Sequence, residues 1–215
     1  GQALIRERIK SLEKLYLYAE AWDLKQHLPP DSTNAGLRSD AKSLFKAKDY
    51  PQAIVFYARI PSPTAQDRFD HALAMSRTGD YDQAARLYEK IIELSPEDKL
   101  ADNASYKLGY LAYDEGSLSE AITLLEAHLR RYPNSRHKES THWFTGWSHF
   151  RLGQLPEAEH FLTKILSESP RSSLAPAARY WLARIHGLQG RTESAKTGYS
   201  EVLRRWPLSG YAWWA

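Results

Sequence analysis

Eight histidines and a dense set of aromatic rings are the residues of this chain whose types and spacing could do chemistry. His142 and His149 lie two helical turns apart, with His137 and His160 nearby in sequence. A metal centre wants tighter spacing and a carboxylate or thiolate partner. There is no Cys in the 215 residues, which excludes thiol catalysis, disulfides and iron–sulfur clusters and leaves the redox compartment open. The histidines therefore read as packed or solvent-facing, with no metal site and no cofactor. A phosphate-binding Gly loop and a Gly-x-Ser-x-Gly elbow are both missing. Glu139-Ser140 reads as a helix start, and Glu157 and Glu159 as the solvated start of another. Arg130-Arg131 and Arg204-Arg205 sit where cations complement helix C-termini. No catalytic residue is assigned, and the 215 residues alone are expected not to be an enzyme.

The aromatic pattern is the stronger lead. Tyr106, Tyr110 and Tyr113 recur at i, i+4 and i+7, and so do Trp143, Trp147 and Phe150. On helices this spacing makes two short ladders of rings. They read either as packing between successive helices or as a surface that stacks on sugar rings or apolar peptide side chains.

The elements that carry these ladders follow from an internal repeat. Ala84, Ala121, Ala158 and Ala195 are evenly spaced at 37 residues. Gly79, Gly116, Gly153 and Gly190 precede them by five; Pro96, Pro133, Pro170 and Pro207 follow by twelve; Tyr88, Leu125, Leu162 and Tyr199 follow by four. The Gly ends one helix and lets the backbone reverse. The Ala lets a second helix approach closely. The Pro stops that helix, having no N–H and biasing its predecessor away from helix. The spacing predicts helices at 64–78 and 81–95, 98–115 and 118–132, 135–152 and 155–169, and 172–189 and 192–206. Tyr50, Ala53 and Tyr57 repeat the spacing upstream, with Lys48 in place of the Gly.

Four segments result. Residues 1–28 read as one long amphipathic helix with apolar Ile5, Ile9, Leu12, Tyr16 and Ala19. Residues 29–63 hold a loop and a degenerate helical pair, 64–207 four repeats, and 208–215 the start of a further helix. The fold class is all-α, a solenoid of helical hairpins with 11–12 helices and no strand. No stretch approaches the ~18 apolar residues of a membrane span. The net charge is +3, but residues 129–215 carry 13 Lys/Arg against 6 Asp/Glu. That imbalance is either a solvated surface or a preference for an anionic partner; it is too dilute for a nucleic-acid footprint. The chain begins at Gly1 and its one Met is Met75, which predicts a piece of a longer product whose signal or anchor lies elsewhere.

The unit resembles the tetratricopeptide repeat, on Leu108-Gly109, Gly116, Ala121 and Pro133, with Thr192 degrading the last copy. The resemblance implies a right-handed superhelix whose concave face is lined by the first helix of each pair. In that register the ligand groove comprises Tyr106, Tyr110, Tyr113, Trp143, Trp147, Phe150, Arg151, Tyr180 and Arg184. Residues 178–215 carry a more particular resemblance. Ala178-Arg179-Tyr180-Trp181-Leu182-Ala183-Arg184, then Gly190, Ala195, Tyr199, Pro207-Leu208-Ser209-Gly210-Tyr211 and Ala215, resemble the segment before the catalytic domain of soluble lytic murein transglycosylases. That resemblance implies a periplasmic protein of the bacterial envelope, a non-catalytic region that shapes or binds peptidoglycan, and a lysozyme-like domain packed on Trp206, Tyr211, Trp213 and Trp214. Residues 98–171, with Tyr132-Pro133-Asn134-Ser135, also resemble the repeat arrays of periplasmic envelope proteins. This second likeness implies an interaction scaffold that takes a protein or peptide.

Overall fold

A computed structural model describes residues 1–215. The chain is all-helical: α1 (Gln2–Lys14), α2 (Tyr18–Lys25), α3 (Asn34–Lys46), α4 (Tyr50–Ala58), α5 (Ala65–Thr78), α6 (Tyr81–Leu94), α7 (Lys99–Glu115), α8 (Leu118–Arg131), α9 (Lys138–Arg151), α10 (Leu155–Glu168), α11 (Ala175–Leu188) and α12 (Thr192–Arg205). A short 3₁₀ turn over Gly210–Trp213 follows, where the start of a further helix was expected. Two compact units result, Gly1–Ala104 and Ser105–Ala215. The division falls inside the repeats rather than at either end of them.

Each marker of the repeat performs its expected work. Gly79, Gly116, Gly153 and Gly190 all have positive φ, between 75° and 92°. At Gly116 the chain closes a Schellman pair: Gly116 N–H donates to Tyr113 O and Ser117 N–H to Ala112 O. Ala84, Ala121 and Ala158 are fully buried and Ala195 nearly so. The residues before the prolines, Ser95, Tyr132, Ser169 and Trp206, leave the helical region at φ −148 to −123 and ψ 56 to 65.

In the first unit, residues 2–27 form two helices instead of one. α1 ends at Lys14, Tyr16 turns left-handed at φ 62, and α2 starts at Tyr18. The fold-back lets Ile9 and Leu12 bury against Ala21, with Ile5, Leu24 and Leu28 around them. A straight helix of this amphipathic kind would leave that stripe without a partner. Tyr16 and Ala19, expected on the buried stripe, are exposed as a consequence, Tyr16 by 80%. The degenerate pair is well formed, with Leu37, Ala41, Leu44, Ala53, Tyr57 and Ile60 as its core. Lys48 takes the glycine's left-handed place at φ 64 and keeps the same hydrogen bonds, to Phe45 O and from Asp49 N–H to Leu44 O.

Asp67 holds the start of α5. Thr64 and Asp67 form a reciprocal capping box. The Asp67 carboxylate also accepts from Arg38 Nε at 2.7 and 2.9 Å and pairs with an Arg38 terminal nitrogen at 2.7 Å. This ties α3 to α5 through a charge that is 1% exposed.

In the second unit α8, α9 and α10 pack in succession, as do α10, α11 and α12. Two first helices begin three residues later than the spacing predicts, at Lys138 and Ala175. The intervening residues form a turn. Ser135 Oγ accepts from His137 N–H at 3.0 Å, and Ser172 Oγ accepts from Leu174 N–H at 2.8 Å. Both serines lie on the 37-residue register, a signal the marker set did not include. Small residues share the same register on the first helices: Ala72, Gly109, Gly146 and Ala183. A Cβ on Gly109 would meet Leu125 Cδ2 at 2.7 Å, so α7 and α8 touch through a missing side chain.

Candidate functional site

The aromatic residues of α7, α9 and α11 in the second unit make two interlocked sets, both of which include rings of α9. Phe144 of α9 meets Tyr110 and Tyr113 of α7, with ring centroids 4.9 and 4.8 Å apart. One repeat later, Trp181 of α11 meets Trp147 and Phe150 of α9 at 4.4 and 5.1 Å. Within α9, Trp147 stacks nearly parallel to Trp143 at 6.0 Å and to Phe150 at 5.2 Å. The i, i+4, i+7 spacing puts each ladder on its own helix, and the ring of the next first helix wedges into it. Phe144 and Trp181 stand 37 residues apart, so the register could have found them; the groove expectation omitted both.

Burial separates the expected groove residues. Tyr110, Tyr113, Trp143, Trp147 and Phe150 are half-buried, and Arg151 and Arg184 are exposed. Tyr106 and Tyr180 are 8% and 6% exposed, so these two belong to the core and not to a ligand-facing surface. Tyr106 is held by a parallel stack on His137 at 4.4 Å, and its burial pushes the phenol pKa above its ordinary range while the Ser140 hydroxyl opposes the shift. Tyr180 is covered by Tyr199 at 5.6 Å, Tyr211 at 5.4 Å and Trp214 at 6.3 Å.

Cations border both sets. Lys107 Nζ lies 5.5 Å from the Tyr110 ring centre, and the Arg184 guanidinium lies 5.3 Å from that of Trp181. Along the other edges of these helices, charges are neutralised by partners. Glu159 pairs with Arg191 and with His186 at 3.1 Å, and Arg191 first, against burial, holds its carboxyl below the ordinary range. Glu168 meets Lys138 at 2.7 Å and His142 at 3.7 Å. Glu139, part of the Glu-Ser pair, accepts from the Ser172 hydroxyl across to the turn before α11. It is a tie between helical pairs.

The histidines divide between packed and solvent-facing places, His160 being exposed. His142 and His149 are buried at 6% and 7% exposure, and burial holds the His142 pKa below its ordinary value. His149 Nδ1 lies 2.7 Å from Gln154 Oε1, and its ring stacks on Phe161 at 5.5 Å. No group of three His, Asp or Glu side chains is placed to hold a metal ion.

At the expected junction, Tyr211 and Trp214 fold back over α11, and Trp206 lies under the Arg205 guanidinium at 4.6 Å. Trp213 and Leu208 project outward, 86% and 97% exposed.

The helix–turn–helix unit, its glycine and proline punctuation and the small residues at the helical contacts define a tetratricopeptide array, and this chain carries tetratricopeptide repeats. Family models described as tetratricopeptide repeat match residues 69–136, 140–162 and 177–209. Among solved structures, the chain is similar to MamA from Desulfovibrio magneticus RS-1, with TM-score 0.65, 15% identity and coverage of 82% of this chain and 96% of that one. It is also similar to YrrB, described as a TPR protein with an unusual peptide-binding site, with TM-score 0.63, 15% identity, and 91% and 95% coverage. The C-terminal part of a TPR repeat-containing protein from Cytophaga hutchinsonii gives TM-score 0.72 at 16% identity, covering 92% and 78%. At such identities the likeness is one of fold. In sequence, 138 residues are 25% identical to human Protein O-mannosyl-transferase TMTC2, which is 60% of this chain. The mouse protein is 28% identical over 97 residues, 41% of this chain. The chain spans 16% and 12% of the length of these curated relatives.

Proposed function

We propose that the array is a protein-interaction scaffold whose second unit takes a peptide segment of a partner on the rings of α7, α9 and α11. The observation that carries this reading is two interlocked ring sets, Tyr110, Tyr113 and Phe144, and Trp143, Trp147, Phe150 and Trp181. These rings are half-buried rather than buried, although within each set they touch one another. Rings already fixed by their neighbours lose little side-chain freedom when a ligand stacks on them. Lys107 beside Tyr110 and Arg184 beside Trp181, with Arg151 exposed at the end of α9, favour a segment that joins apolar side chains to acidic ones. The peptide-binding description of YrrB supports this direction.

A peptide selected from a display library against the chain provides the test, with binding followed by fluorescence polarisation. Trp147→Ala and Phe150→Ala should each weaken binding about fivefold to tenfold, at roughly 1 kcal/mol per stacked ring. Unchanged affinity in both variants would remove these rings as the site. A loss of about 3 kcal/mol in stability for Trp147→Ala would make the ring core instead.

A second reading rests on Leu208 and Trp213, two highly exposed apolar side chains before and within the 3₁₀ turn. We infer that another surface covers them. The lytic transglycosylase resemblance of residues 178–215 gives that surface as a lysozyme-like domain, the ligand as peptidoglycan and the location as the bacterial periplasm. Glycan strands used as competitor in the same polarisation assay separate the two readings, because displacement of the peptide by glycan favours the second.

A further inference from the structure

A cavity in the first unit, independent of the two aromatic sets, has the features of a small-molecule site. Its volume is about 660 Å³ and residues 6–59 line it, within the usual range for such sites of roughly 300–1,000 Å³. The apolar wall is Trp22 of α2, Leu37 of α3 and Phe56 of α4, with Trp22 and Phe56 edge to face at 5.7 Å. The loop Pro29-Pro30-Asp31 forms a lip. Gly36 fixes that lip on α3, because a Cβ at this position would collide with the Asp31 carbonyl and side chain.

The charges of the lining do not balance. Lys25 is neutralised by Asp40 at 2.6 Å and donates to Ser39 at 2.9 Å. Asp31 is turned onto its own loop, accepting from Thr33 N–H at 3.0 Å and the Thr33 hydroxyl at 2.6 Å. Arg6 of α1 is within electrostatic reach of Asp31 but makes no direct ion pair, and Arg59, at the end of α4, has no carboxylate partner, so the lining of three cations and two carboxylates keeps one positive charge in excess. The Arg59 guanidinium lies 5.3 Å from the centre of the Phe56 ring. An aromatic wall with a net positive charge and two solvent-facing guanidiniums beside it is complementary to a flat apolar body carrying a negative group.

We propose that this cavity binds a small aromatic anion, its ring against Trp22 and Phe56 and its carboxylate or phosphate held by Arg6 and Arg59. The Lys25–Asp40 pair and Ser39 supply polar partners for substituents on the ring. Neither half of the ligand suffices: the ring alone forgoes the charged hydrogen bonds to the guanidiniums, and a bare anion leaves the wall unfilled.

Isothermal titration calorimetry on the full chain tests this with four probes: phenyl phosphate, 1-naphthoate, benzyl alcohol and inorganic phosphate. At least one aromatic anion should bind at least tenfold more tightly than benzyl alcohol or inorganic phosphate. The double substitution Arg6→Gln, Arg59→Gln should weaken that binding tenfold or more with an unchanged thermal melt, both side chains being exposed. Trp22→Leu, checked for folding by circular dichroism, should weaken it to a similar degree. The proposal fails if neither aromatic anion binds at millimolar concentration. It fails equally if the double variant binds as the parent does, which would place the anion elsewhere, or if benzyl alcohol binds as tightly as phenyl phosphate.

Discussion

Replacing Asp67 by Asn removes one negative charge from the first unit and changes almost nothing in volume. In the native chain the carboxylate takes three contacts of 2.7–2.9 Å from Arg38, and further hydrogen bonds from Thr64 N–H at 2.8 Å and the Thr64 hydroxyl at 2.7 Å. Breaking one side of a buried pair costs about 3–5 kcal/mol when the charge left behind is fully buried. Arg38 is 29% exposed and can turn to water, which reduces that figure. Weakening the reciprocal cap adds about 1 kcal/mol. The expected loss is therefore about 3 kcal/mol, a large share of the roughly 5–15 kcal/mol that holds a domain together. Urea unfolding followed by circular dichroism should show a lower midpoint at unchanged slope. A cycle with Arg38→Met should give a coupling of about 2 kcal/mol, since the two side chains share one network. A coupling below ~0.5 kcal/mol would refute the account and leave Asp67 as a helix cap alone. Acid provides an independent check. Burial alone would raise the Asp67 pKa, but Arg38 and Thr64 outweigh it and hold the folded carboxyl below its ordinary 3.8. The stabilisation is thus full above that value and is lost as the pH falls through the lower folded one. The Asn variant should lack this part of the acid transition.

Lys48→Gly should raise stability by about 0.5–1 kcal/mol, because relief of the left-handed strain exceeds the added freedom of the unfolded chain; a lower melting temperature would contradict this. Gly153→Ala should cost about 1 kcal/mol from backbone strain alone, since nothing lies within 4 Å of its Cβ position. Gly109→Ala should cost about 1–3 kcal/mol by forcing Leu125 aside, whereas Gly187→Ala, with its nearest contact at 3.8 Å, should be neutral or stabilising by up to about 0.5 kcal/mol. Thermal melts rank all four. His71 and His142 are held below their ordinary value of 6.5 by burial. Their neutral forms stabilise the fold fully above pH 6.5, and this is lost as the pH falls through the lower folded values. Urea midpoints between pH 7.5 and 5 should therefore decline, and less steeply in His142→Gln.

The sequence by itself determined the helical repeat, because its punctuation is local. A left-handed turn, a pre-proline residue and a close helical contact each restrict the amino acids at one position, and the 37-residue spacing repeats all three. It also exposed the aromatic ladders, since i, i+4, i+7 spacing is a property of one helix. Whether a ring is buried or stays partly exposed was decided by neighbours distant in sequence. His137 covers Tyr106, Tyr199 and Tyr211 cover Tyr180, and Phe144 and Trp181 wedge into ladders on the preceding first helix. The break at Tyr16 was likewise hidden, because amphipathic periodicity continues through residues 5–19 and only the fold-back onto Ala21 and Leu24 makes two helices preferable to one. Asp67 is an acid in a helix's first turn in the sequence; only the approach of Arg38, 29 residues away, makes it a buried charge. Pairing, burial and cavities depend on which surfaces meet, and that is settled when separate helices pack.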